Sequence, residues 1–220
     1  VPERPEFPIR RLLVAVLAAA VAVLLSACGG GTSAQGPEID AADGDTYHGT
    51  VLDQPYDVPP IALTDTSGAA YSLSDNSGLT LVFFGYTNCP DTCQIVMASL
   101  ASAMNRLDEA DRARVTVVLV TTDPARDDEE QLRSYLDRFD PAFIGLTGEL
   151  ATIKELAASQ AISMEKGRQL PTGGYEVDHS TPVLGMREGR TRIIWNAETS
   201  PAEFAEDVAA LLQNTAGEGS

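Results

Sequence analysis

The sequence predicts an α/β sandwich, a central mixed sheet flanked by helices, and three observations point to it. Two charge-free runs, "LTLVFF" (79–84) and "VTVVLVTT" (115–122), have the continuous β-branched and aromatic character of strands buried on both faces. Each is followed by a segment with helical apolar spacing, the pattern of strands joined through crossover helices. The chain then closes with a hairpin pattern and one last helix.

In order, "IALTDT" and "AYSLS" read as short strands around a turn at Ser67–Gly68. After the strand "LTLVFF", the residues Ile95, Val96, Leu100, Ala103, Met104 and Leu107 are expected on the buried face of a helix beginning after Asp91. "VTVVLVTT" leads into "DPARDDEEQLRSYLDRF", where Asp123–Pro124 opens a turn and Asp127 and Glu130 have capping-box spacing before an amphipathic helix. "AFIGLTG" is the next strand and "ELATIKELAASQ" the next helix. "TPVLGMREGRTRIIWN" reads as a hairpin turning at Glu188–Gly189. "SPAEFAEDVAALL" is the final helix, with Ser200 as cap, Pro201 at its first position and Glu203 completing the box. Strands alternating with helices, then a hairpin and a helix, describe a thioredoxin-like sandwich.

This domain is expected over residues 48–213 of the 220, followed by a polar tail at 214–220. Residues 1–27 carry Arg4, Arg10 and Arg11, an apolar run from Leu12 to Leu25, and small residues. Such a run is shorter than the roughly 20 residues of a membrane span and has the order of a signal peptide. "LSAC" (25–28) resembles a bacterial lipobox, so cleavage and lipidation are expected at Cys28. The Gly-, Ala- and Asp-rich stretch that follows, up to residue 47, reads as a flexible tether reaching on the order of 20–25 Å. The chain is therefore expected at the extracytoplasmic face of the membrane, lipid-anchored. Removing residues 1–27 subtracts three Arg and two Glu, leaving 12 basic and 30 acidic residues and a net charge of −18. That charge, without a Lys/Arg cluster, excludes nucleic acid as an expected partner.

With Cys28 assigned to lipid, Cys89 and Cys93 in "GYTNCPDTCQ" are the remaining thiols. A structural disulfide, a redox pair and two legs of a metal site are all open to them. Cys89 follows a buried strand, and Cys93 is expected one turn into the next helix, where unpaired N–H groups and the dipole favour a thiolate. A purely structural bridge over so few residues removes little chain entropy. Two thiolates are an incomplete site for most metals, so a third donor is needed. His48 and His179 are the two histidines. His48 reads as a solvated residue at the tether junction, and by itself His179, beside Asp178, reads no differently from an ordinary surface or core histidine.

Taken together, "FFGYTNCPDTC", "TTDPARDDEEQLRSYLDRF", "FIGLTG" and "VDHSTP" closely resemble the Sco/SenC family of copper-binding cytochrome c oxidase assembly proteins, over roughly residues 50 to 213. Cys89 to Cys93 fit that family's Cys-Pro-Asp-x-Cys pattern position by position, while Gln94 and Pro182 depart from it. The resemblance implies one copper ion per chain, Cu(I) or Cu(II), held by Cys89, Cys93 and His179. It implies a copper chaperone for the oxidase's binuclear copper centre, with cytochrome c oxidase subunit II and another copper chaperone as partners. The alternative it leaves is a thiol–disulfide oxidoreductase that keeps the oxidase's copper-ligand cysteines reduced. Two soft thiolates and an imidazole suit copper, and Cys₂His with an open position suits zinc as well. Asp123 and Asp127 read as structural.

Overall fold

The computed structural model describes residues 47–169, 175–179 and 181–214. The segment expected as a signal peptide, Cys28, the expected tether up to residue 46 and the residues beyond 214 lie outside the described residues.

Ten strands occur among them: β1 (Thr50–Asp57), β2 (Ala62–Asp65), β3 (Ala70–Ser72), β4 (Leu79–Gly85), β5 (Val115–Thr121), β6 (Ile144–Thr147), β7 (Met164–Gln169), β8 (Tyr175–His179), β9 (Val183–Arg187) and β10 (Arg190–Trp195). The helices are α1 (Thr92–Met104), the short α2 (Glu109–Arg112), α3 (Glu129–Leu136), α4 (Leu150–Ser159) and α5 (Pro201–Asn214). Eight strands form one mixed sheet in the order β1-β10-β9-β4-β5-β6-β2-β3, and β7 and β8 pair separately. The centre is parallel, β4 with β5 and β5 with β6, through the crossovers that carry α1 and α3. β9 then adds antiparallel to β4, with Phe83 opposite Val183.

β4 is buried along its whole length because both faces of the sheet are covered. Leu81, Phe83, Val117 and Leu119 face a core shared with α1, α3 and α5. Val82, Phe84, Val118 and Val120 face a second core with Ile153, Leu156 and Ala157 of α4. The period-two alternation of the strands thus feeds two cores, as a helix-covered sheet requires. The predicted hairpin turns at Glu188 (φ 51°) and Gly189 (φ 70°), the paired left-handed residues of a type I′ turn. The capping box of α5 forms as expected, with the Ser200 N–H donating to Glu203 Oε2 at 2.8 Å and the Glu203 N–H to Ser200 Oγ at 3.3 Å.

Three expectations need correction. Ile95 is 59% exposed, because the buried stripe of α1 runs through Cys93, Val96, Met97, Leu100 and Met104, and Ile95 sits off it. α3 is capped by Asp128, whose side chain accepts from Gln131 N at 2.8 Å, and not by Asp127. Asp128 and Gln131 have the same three-residue offset as Asp127 and Glu130, so the spacing fitted two registers one residue apart. Cys93, expected one turn into the helix, is its second residue, because α1 begins at Thr92.

Candidate metal centre

The loop from Tyr86 to Asp91 leaves the C-terminal end of β4, and Cys89 and Cys93 stand at its far side and at the second residue of α1. Local hydrogen bonds fix the loop. The Cys89 N–H donates to the Tyr86 carbonyl at 3.3 Å, and the Gln94 side-chain amide donates to the Cys89 carbonyl at 3.4 Å. The helix has no side-chain cap from Asp91. Instead the Cys93 N–H, one of the orphan donors of the first turn, points at the Cys89 sulfur at 3.3 Å. Cys89 Sγ therefore occupies the place of a cap acceptor, which brings both sulfurs to one helix end.

The two thiols are chemically unequal. Both are in the reduced form, with Cys89 8% and Cys93 0% exposed. The Cys93 side chain hydrogen-bonds to Cys89 and lowers the Cys89 thiol to about 6, with help from the Cys93 and Asp91 backbone amides. The same hydrogen bond, together with burial, raises Cys93. The pair thus holds one proton between two sulfurs, with the charge on the outer one. Tyr135 packs in the same core, its phenol raised first by burial and then by the neighbouring Cys93.

Asp127 is the residue near the site that the sequence misassigned. It is fully buried, at the end of the turn opened by Asp123, whose carbonyl accepts from Arg126 N and Asp127 N at 3.0 Å each. Its carboxylate accepts from Thr87 N at 3.0 Å, Thr87 Oγ1 at 2.6 Å and Thr121 Oγ1 at 2.7 Å. Burial pushes this carboxyl up, and the Thr87 and Thr121 hydroxyls partly offset that. Asp123 is a turn opener as expected, ion-paired with Arg126, whose guanidinium lies 5.8 Å from the centre of the Tyr86 ring.

The histidines separate. His48 is a surface residue, its Nε2 3.0 Å from Glu206 Oε2, while its backbone N–H donates to buried Asp207 at 2.9 Å. His179 ends β8, opposite Met164 in the β7–β8 ladder, and its side chain lies outside the described residues. Four residues further on, Val183 pairs with Phe83 of β4, two residues before Gly85. An extended chain of that length spans at most about 14 Å, so the backbone of His179 is held near the end of the sheet from which the cysteine loop leaves. Among the described residues no group of three or more His, Cys, Asp or Glu side chains converges as a metal site. The two cysteines do converge, and as a soft, partly ionised sulfur pair they fit a soft metal ion.

Residues 52–213 match the family model described as SCO1/SenC. Among solved structures, the apo Sco1 protein of Thermus thermophilus is 31% identical with a TM-score of 0.69, covering 76% of this chain and 97% of that one. The copper-bound ScoI of Bradyrhizobium japonicum is 31% identical with a TM-score of 0.63, covering 69% and 97%. Mitochondrial SCO2 of Saccharomyces cerevisiae is 32% identical over 123 residues, 55% of this chain and 41% of that protein. The chain spans between 32% and 60% of the length of the first curated relatives it matches.

Proposed function

The chain belongs to the SCO1/SenC family, and from that premise we propose that it is a lipid-anchored copper chaperone at the extracytoplasmic face of the membrane. Its cargo is one copper ion, delivered to the binuclear copper centre of cytochrome c oxidase, with subunit II as the recipient and another copper chaperone as a second partner. Cys89, Cys93 and His179 hold the ion, and Cys28 carries the lipid. The observation that supports this reading most strongly is the sulfur pair at one helix end, with Cys89 Sγ accepting the Cys93 N–H and drawn toward the thiolate. Two soft sulfurs favour Cu(I), and an added imidazole extends the set to Cu(II). A relative with the same fold is described with copper bound.

A second reading is favoured by the inequality of the two thiols. A thiol–disulfide reductant needs an ionised outer sulfur and a protonated inner one. The Cys89 thiolate would attack a disulfide of the partner, releasing one partner thiolate and forming a mixed disulfide. Cys93 would then lose its proton and displace the second partner thiolate, leaving a Cys89–Cys93 disulfide and a reduced partner dithiol. Both readings use the same sulfurs, and they part at His179.

His179→Ala separates them. For a carrier, loss of the imidazole leaves two thiolates that still hold Cu(I) but no complete Cu(II) site. For a reductant, the reacting atoms are the sulfurs alone. The expected result is loss or strong alteration of the thiolate-to-Cu(II) charge-transfer absorption, a smaller weakening of Cu(I) binding, and disulfide reduction within about tenfold of wild type. A variant with wild-type Cu(II) absorption and affinity removes His179 from the ligand set.

A further inference from the structure

Asp127 ties the ends of β5 and β6 to the loop that carries Cys89. Its backbone carbonyl accepts from Thr147 Oγ1 at 2.8 Å, joining it to the end of β6. One carboxylate oxygen takes the Thr121 hydroxyl from the end of β5, and the two oxygens together take both the amide and the hydroxyl of Thr87, two residues before Cys89. The helix that follows makes no use of the carboxylate, since Asp128 caps it. A fully buried carboxylate is costly unless its oxygens are well occupied, and here every occupying donor belongs to the cysteine loop or to the strand beside it.

We propose that Asp127 is a positioning residue for the dithiol loop: its contacts fix Thr87 and thereby hold the Cys89 sulfur against the first turn of α1. The proposal deepens the copper-holding reading of Cys89 and Cys93 and rests on it for its functional meaning. The contacts, and not the charge, carry the effect. The Thr87 N–H requires an acceptor, whereas the Thr87 hydroxyl can donate or accept. An asparagine with its oxygen toward Thr87 N and Thr121 Oγ1, and its amide nitrogen toward Thr87 Oγ1, keeps all three contacts. An alanine keeps none.

The test compares Asp127→Asn, Asp127→Ala and the near-isosteric Thr121→Val in the full reduced chain, at a temperature where thermal unfolding shows each folded. Two quantities are read: amide hydrogen exchange in peptides spanning 85–93 against peptides from α4, and the thiolate-to-Cu(II) absorption after copper addition. Asp127→Ala should speed exchange in the loop peptides by about tenfold or more, the scale of one lost hydrogen bond, and alter the absorption, with α4 unchanged. Asp127→Asn should stay within about threefold of wild type with the same absorption, because its contacts survive. Thr121→Val should change exchange in the direction of alanine by a smaller factor. A folded Asp127→Ala with wild-type loop exchange and absorption overturns the proposal, as does an asparagine variant as defective as alanine. If alanine does not fold, Thr121→Val decides, and wild-type loop exchange in it overturns the proposal. Failure of the wild-type chain to take up copper removes the copper reading while the exchange comparison still decides the clamp.

Discussion

Gly85→Ala places one methyl group where the sheet hands over to the cysteine loop. A Cβ at this position stands 2.6 Å from Phe83 Cε1 and 3.2 Å from Cys93 Sγ. Neither the backbone nor the ring can yield easily. Gly85 is paired with Thr121 in the parallel ladder, its carbonyl accepts from Thr122 N at 2.7 Å, and Phe83 is fully buried against α1 and α5. Forcing an extra carbon into such a packed site costs about 1–3 kcal/mol. For a domain of this size that lowers Tm by about 2–12 °C, at about 2–4 °C per kcal/mol. The nearer clash is with the ring, so stability should fall; the contact with Cys93 Sγ moves the inner sulfur by a few tenths of an ångström, so the Cu(II) absorption should shift as well. Thermal unfolding of the reduced chain and the spectrum after copper addition measure the two effects. A variant with wild-type Tm and an unchanged spectrum refutes the packing argument.

Asp207→Ala should cost about 3–5 kcal/mol, because this buried carboxylate accepts from His48 N, Gly49 N and Trp195 Nε1, the last at 2.6 Å, and denaturant unfolding measures the loss. Alkylation of Cys89 should follow a midpoint near pH 6, set by the Cys93 hydrogen bond, while Cys93 stays protected; an ordinary thiol midpoint near 8.5 contradicts the assignment. Because the folded thiol is the more acidic, its stabilisation is complete above the unfolded value and is lost as pH falls through about 6, so reduced protein should gain stability from pH 6 to 8.5 relative to Cys89→Ser. Cys28→Ala should release the protein from the membrane or leave an uncleaved precursor, and unchanged mass and membrane association count against lipidation.

The parts of the fold legible in the sequence are those whose burial leaves a one-dimensional trace. β4 and β5 are covered on both faces and therefore apolar without interruption, and the Glu188–Gly189 turn and the Ser200 box carry their own chemistry. β1 left no such trace. It is an edge strand, mostly exposed, with Pro55 in it and a register shift between Val51 and Tyr56, so neither alternation nor composition marks it. The β7–β8 hairpin is polar and stands outside the main sheet. At the site, the cysteine pair was legible because thiols are rare in this chain. The clamp behind it was not, because Asp127 and Asp128 fit the same capping pattern and only the packing of Thr87 and Thr121 decides which of them faces inward.

Copper K-edge X-ray absorption on the reduced chain loaded with one equivalent of copper counts the sulfur atoms around the metal. The account predicts two sulfur neighbours, falling to one in both Cys89→Ser and Cys93→Ser, with an imidazole contribution in the Cu(II) form that disappears in His179→Ala. A wild-type spectrum with only nitrogen and oxygen neighbours, or one unchanged by either cysteine substitution, would contradict it.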